Sequence, residues 1–181
     1  MRLPSYAIRR LGCCLVLLAS TAASGAPPLK NWFNDPFFQV RDRIANCPRP
    51  LGPFIAETDM KLQEHSRVER GTSCWLAGKC KKPNAYMYDA DIGKDLQRRF
   101  AQSRRFADAS LWITVQRRFV YVEGCVHGKV VVAGIEAFVK QTPDVELVIQ
   151  NTIVGTRKPN YPVMPKSSAI GTEFSPFAPS G

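Results

Sequence analysis

The sequence has no Cys-x-x-Cys pair, no glycine-rich phosphate loop, no Gly-x-Ser-x-Gly elbow and no calcium-loop spacing of acids. These gaps remove the usual zinc ribbons, phosphate cradles, α/β-hydrolase nucleophiles and EF-hands from consideration. Asp89, Asp91 and Asp95 come nearest to a carboxylate site, and capping and solvation of one helix account for them. No internal repeat is visible. Acids are also scarce, with 15 Asp and Glu against 25 Lys and Arg, a formal charge of +10. Such a surplus favours anionic surfaces: phospholipid headgroups, cell-wall polymers or nucleic acid.

A long apolar run is missing as well. Leu11 to Ala19 is too short to span a bilayer comfortably. It follows Arg2, Arg9 and Arg10 and precedes the small residues Ala23-Ser24-Gly25, which is the pattern of a cleaved secretory signal over residues 1–25. Its removal would take three arginines and leave about +7. It would also take Cys13 and Cys14. Export excludes nucleic acid as a partner and makes the location periplasmic or secreted.

What is there begins with four remaining cysteines, Cys47, Cys74, Cys80 and Cys125. An even number in an exported chain reads as two disulfides, with three possible pairings. The expected pairing closes a short loop between Cys74 and Cys80, with Gly78 to turn it. Cys47 and Cys125 are left for each other.

Residues 26–88 form a Pro- and aromatic-rich extension. Asn31 to Phe38 is apolar but broken by Pro36 and reads as an irregular packed segment. Glu57 to Arg70 is expected to be a helix, capped by Thr58 or Asp59 and ended by Gly71. The ordered core is 89–157. Asp89 is the expected N-cap of an amphipathic helix in which Ile92, Leu96 and Phe100 recur every fourth residue. Leu111 to Val115 and Phe119 to Val126 read as a hairpin joined by Gln116-Arg117-Arg118. Val130 to Gln141 is a second helix and Val145 to Val154 a last strand. Residues 158–181, rich in Pro, Ser and Gly, read as a disordered tail.

Three features of the core carry a family likeness. The first helix opens on Asp89 and Asp91. The second strand reads Val120-Tyr121-Val122-Glu123-Gly124-Cys125-Val126. The last strand is led in by Pro143-Asp144-Val145-Glu146-Leu147-Val148. In this pattern and in its helix–strand–strand–helix–strand order the core resembles the BON domain (bacterial osmotic-stress and nodulation family). The resemblance implies an α+β fold, a single αββαβ domain with a three-stranded mixed sheet and two helices on one face. It also implies a periplasmic, non-catalytic module without cofactor or metal. Such a module acts in envelope maintenance or osmotic stress by binding phospholipid or an envelope protein, peripherally rather than across the membrane.

Strand alternation makes a separate point. With Val120, Val122 and Val126 toward the helices, Tyr121, Glu123 and Cys125 face the other way, beside Trp112 and Ile149. That outer face needs a cover, and Trp32, Phe33, Phe37 and Phe38 are the expected one.

Two sharper readings compete. Ser73-Cys74-Trp75 is similar to the nucleophile segment of papain-like peptidases, which gives an alternative, a secreted thiol hydrolase using Cys74 and His127. The spacing to His127 and the nearby Cys80 both argue against it. The four cysteines with His65 and His127 give zinc no paired motif. Arg98, Arg99, Arg104, Arg105, Arg117 and Arg118 form the residue group best suited to an anionic surface. A protein-only structural adaptor is the remaining reading.

Overall fold

The computed structural model describes residues 27–165. The signal read over 1–25 and the tail beyond Pro165 lie outside the described residues. Four strands form one sheet in the order β1 (Phe37–Asp42), β2 (Ser110–Gln116), β3 (Phe119–Val126), β4 (Leu147–Val154). The first three run antiparallel to their neighbours and β4 is parallel to β3. A parallel neighbour needs a crossover, and α4 (Lys129–Lys140) supplies it. With α3 (Asp89–Gln102) the order α3-β2-β3-α4-β4 is αββαβ, and the class is α+β.

The count differs from the three strands read in the sequence. Phe37–Asp42 joins the edge of β2 as a fourth strand, with Phe38 opposite Ile113. Its apolar side chains sit on both faces, so it has no clean alternation, and its partner lies some 70 residues away. Two shorter elements of the extension have no periodic signal in the sequence. They are α2 (Thr72–Leu76) and a 3-10 turn at Ala85–Tyr88. The expected helix α1 spans Glu57–Glu69. Ala56 takes its N-cap position with no side-chain bond, and Thr58 and Asp59 lie inside the first turn.

The core lies between the sheet and α3 with α4. Ile92, Leu96 and Phe100 of α3 meet Leu111, Ile113, Val115, Val120, Val122 and Val126, and Ile135 and Val139 of α4 close the layer. Gly124 sits at φ 130°, and a Cβ there would stand 2.1 Å from the Ser110 carbonyl oxygen. Only glycine allows the two strands to approach this closely.

Asp89 does not cap α3. The chain is already helical at Tyr88, so Asp89 opens the first turn. Its carboxylate turns instead to the β2–β3 hairpin, accepting the backbone N–H of Arg117 at 2.6 Å and of Arg118 at 2.8 Å. Both arginines have positive φ, 55° and 69°. A two-residue hairpin turn of this shape normally uses Asn-Gly, and Asp89 offsets the strain of using two arginines.

The outer face is covered, but of the expected aromatics only Phe37 lies there, against Gly52 and Phe54. Phe38 packs into the helix-side core, and Phe37 lies edge-on to Phe54 with ring centroids 5.9 Å apart. Trp32 donates its indole N–H to the Ile55 carbonyl, and Phe33 lies under the Arg67 guanidinium. The cover comes from the segment around Pro50–Phe54 and from Tyr161, all of them buried except the half-buried Leu51 and Gly52. The Tyr161 hydroxyl donates to the Pro48 carbonyl, Leu51 N–H donates to Pro162 and Met164 N–H to Arg49. Residues 158–165 show no apolar period, yet this one buried tyrosine and these backbone bonds bring them onto the sheet. Cys47 and Cys125 are disulfide-bonded and fasten the cover to β3.

Candidate functional site

Cys74 and Cys80 are disulfide-bonded, six residues apart. The sulfur that a thiol hydrolase would need as a thiolate is therefore occupied. The bond closes a small knob. α2 is one short turn ended by Gly78 at φ 68°, with Gly78 N–H donating to the Trp75 carbonyl and Lys79 N–H to that of Cys74. The knob is seated on the 3-10 turn by Ala85 N–H to the Arg70 carbonyl at 2.8 Å. Gly71 allows that approach, since a Cβ there would stand 2.9 Å from the Ala85 nitrogen.

At the tip of this braced knob are two large apolar side chains. Trp75 is 43% exposed and Leu76 80% exposed. Lys79 and Lys81 are exposed beside them. Lys82 is pinned by Asp91 and by the Met87 carbonyl, and its hydrogen bond, then its charge, hold the Asp91 carboxyl below its ordinary range. Tyr86 and Met87 on the 3-10 turn are exposed as well. Large apolar side chains held in water by a covalent brace need an explanation that core packing does not supply. The sequence marks Cys74 as one end of a short disulfide loop, as the structure has it, and Trp75 only for its likeness to a peptidase segment. The readable signal was different: two bulky apolar residues inside a seven-residue cystine loop with lysines at its end.

The six arginines fall into two groups. Asp89 places Arg117 and Arg118 at the N-terminal end of α3, whereas Arg98, Arg99, Arg104 and Arg105 stand at its C-terminal end. The 14-residue helix between them is about 20 Å long. Most have partners inside the fold. Arg99 donates to the Phe138 carbonyl at 2.9 Å at the end of α4 and lies over the Phe138 ring. Arg105 also lies over Phe106 and Phe138. Arg98 pairs with Asp95. Arg118 donates to the Asp144 carbonyl at 2.8 Å, and Arg117 reaches the Ser66 hydroxyl at 3.3 Å. Arg41, distant in sequence from the other arginines, closes the C-terminus of α3 by donating to the Phe100 and Ser103 carbonyls.

A polar cavity of about 220 Å³ lies on the outer face, lined by Gly52, Thr114, Gln116, Tyr121, Glu123, Asn151 and Pro162. Glu123 is only 7% exposed. Burial pushes its carboxyl up to about 7, against a hydrogen bond from Asn151. Burial, and then the nearby Glu123, pushes the Tyr161 phenol up to about 12. The buried Thr114 hydroxyl has no protein partner.

Among the described residues no three His, Cys, Asp or Glu side chains converge as a metal site would require, and no helix is long and apolar enough to cross a membrane. Comparison with protein-family models, curated proteins and solved structures finds no match.

Proposed function

We propose that this chain is a non-catalytic module of the bacterial envelope that docks peripherally on anionic phospholipid, with the Cys74–Cys80 knob as its contact. The observation that carries the reading is the exposure of Trp75 and Leu76 on a disulfide-braced tip beside Lys79 and Lys81. Tryptophan favours the boundary between headgroups and acyl chains, and lysines reach phosphates while their stems lie on apolar surface. The brace lowers the conformational cost of presenting the two apolar groups together. Two disulfides suit an oxidising compartment, in line with the export signal read in the sequence. The BON-like pattern of the core leads to the same setting.

Co-sedimentation with vesicles of phosphatidylcholine and phosphatidylglycerol tests the reading. Binding should rise with the anionic fraction and weaken with salt, because exposed charges are screened beyond about 8–10 Å near physiological ionic strength. Trp75→Ser with Leu76→Ser should weaken it about tenfold or more, from the apolar burial lost. Arg104→Glu with Arg105→Glu should weaken it less. Indifference of the wild type to anionic vesicles at low salt would remove the lipid reading in favour of a protein-only adaptor. Loss confined to the arginine variant would place the contact at the C-terminal end of α3.

A further inference from the structure

The two edges of the sheet are built differently. β1 follows Pro36, carries a bulge between Gln39 and Arg41 and ends on the charged pair Arg41-Asp42. These are the devices that keep an edge strand from pairing with another chain. β4 has none of them. It is eight residues, Leu-Val-Ile-Gln-Asn-Thr-Ile-Val, without a charge, a proline or a glycine, and its register with β3 is unbroken from Leu147 to Val154. Its far edge takes no backbone hydrogen bond from any described residue. Alternate residues along about 26 Å of strand therefore turn N–H and C=O groups away from the sheet.

We infer that β4 pairs with β4 of a second copy, antiparallel across a two-fold axis near Gln150 and Asn151, joining two four-stranded sheets into one. The charges flanking the strand choose both the partner and the direction. Asp144 and Glu146 precede β4, and the exposed Arg157 and Lys158 follow it. The antiparallel arrangement brings the acidic end of one copy to the basic end of the other at both ends of the interface. A parallel one would set like against like. Glu146 is neutralised within its own chain by Arg70 at 2.6 Å and Arg118 at 3.9 Å, so Asp144 carries the acidic charge toward the partner. The strand itself has no charge to oppose its own copy, and pairing of identical patches closes at two subunits. Residues 166–181 of the same chain are a poorer occupant, because Gly171, Pro176 and Pro179 interrupt any strand they could form.

Sedimentation velocity on the purified protein over a concentration series, combined with amide hydrogen exchange of β4, tests the inference. A reversible dimer is expected, with β4 protection that rises as the dimer forms. Lys158→Glu changes an exposed flanking charge and leaves the hydrogen bond from Arg157 Nε to the Val154 carbonyl in place, and it should raise the dimer Kd several-fold. A monomer at every concentration would overturn the proposal. So would a dimer whose β4 amides exchange as fast as those of the diluted protein, or an unchanged Kd in the charge variant. Protection independent of concentration would mean that the chain covers its own edge, which also overturns it.

Discussion

Asp35 and Arg67 form a buried, two-pronged ion pair, with Nη1 to Oδ1 at 2.5 Å and Nη2 to Oδ2 at 2.6 Å, and side chains only 3% and 5% exposed. It ties the segment leading into β1 to α1, and Gln116 at the end of β2 donates to the same carboxylate at 2.8 Å. The Phe33 ring lies 3.8 Å from the guanidinium on its other side. The polar helix α1 is thus held to the sheet by this charge pair, beside the hydrogen bond from Arg117 to the Ser66 hydroxyl at 3.3 Å.

Arg67→Met should therefore cost about 3–5 kcal/mol, because it leaves Asp35 buried without its counter-charge. Asp35→Leu with Arg67→Met should cost less than Arg67→Met alone, since no unpaired charge remains. Urea unfolding of both variants checks the order.

The two disulfides should separate by role. Cys47→Ser with Cys125→Ser opens a 78-residue separation and loosens the cover over the outer face. The expected loss is about 2–4 kcal/mol in thermal or urea unfolding. Cys74→Ser with Cys80→Ser should barely move global stability, because the knob buries little, and should weaken vesicle binding instead.

Stability should depend on pH through Glu123. Its folded carboxyl titrates at about 7 against an ordinary 4.5, so the unfolded chain gives up its proton first. The contribution is full below about 4.5 and is lost as pH rises through about 7, on the order of 3 kcal/mol in all. Asp89, pushed by burial up to about 6 from 3.8, acts in the same direction at lower pH. Urea midpoints should fall from pH 5 to pH 8. Glu123→Gln should abolish the fall above about pH 6 and roughly halve it below, where Asp89 still contributes.

The sequence made the core legible wherever one face of an element was apolar. Ile92, Leu96 and Phe100 marked α3, and the Val120–Val122 alternation marked β3, because burial on one side imposes the period of the element. β1 was illegible because Phe37 and Phe38 go to opposite faces and its partner is distant in sequence. The cover of the outer face was legible as a need and traceable to the extension through Cys125, but most of the residues that supply it were not. Proline-rich backbone around Pro50 and a single Tyr161 leave no periodic trace. The arginines looked like one group because sequence proximity hides the length of α3. The carboxylate of Asp89, which holds Arg117 and Arg118 at the far end, has no sequence signature.

The central claim is that Trp75 enters the headgroup boundary of an anionic bilayer. Tryptophan emission in phosphatidylglycerol vesicles with brominated acyl chains measures this directly. The account predicts a blue shift and quenching by the brominated lipid in the wild type, both absent in Trp75→Phe, where only Trp32 and Trp112 report. Unchanged wild-type emission, or a shift and quenching that persist in Trp75→Phe, would contradict it.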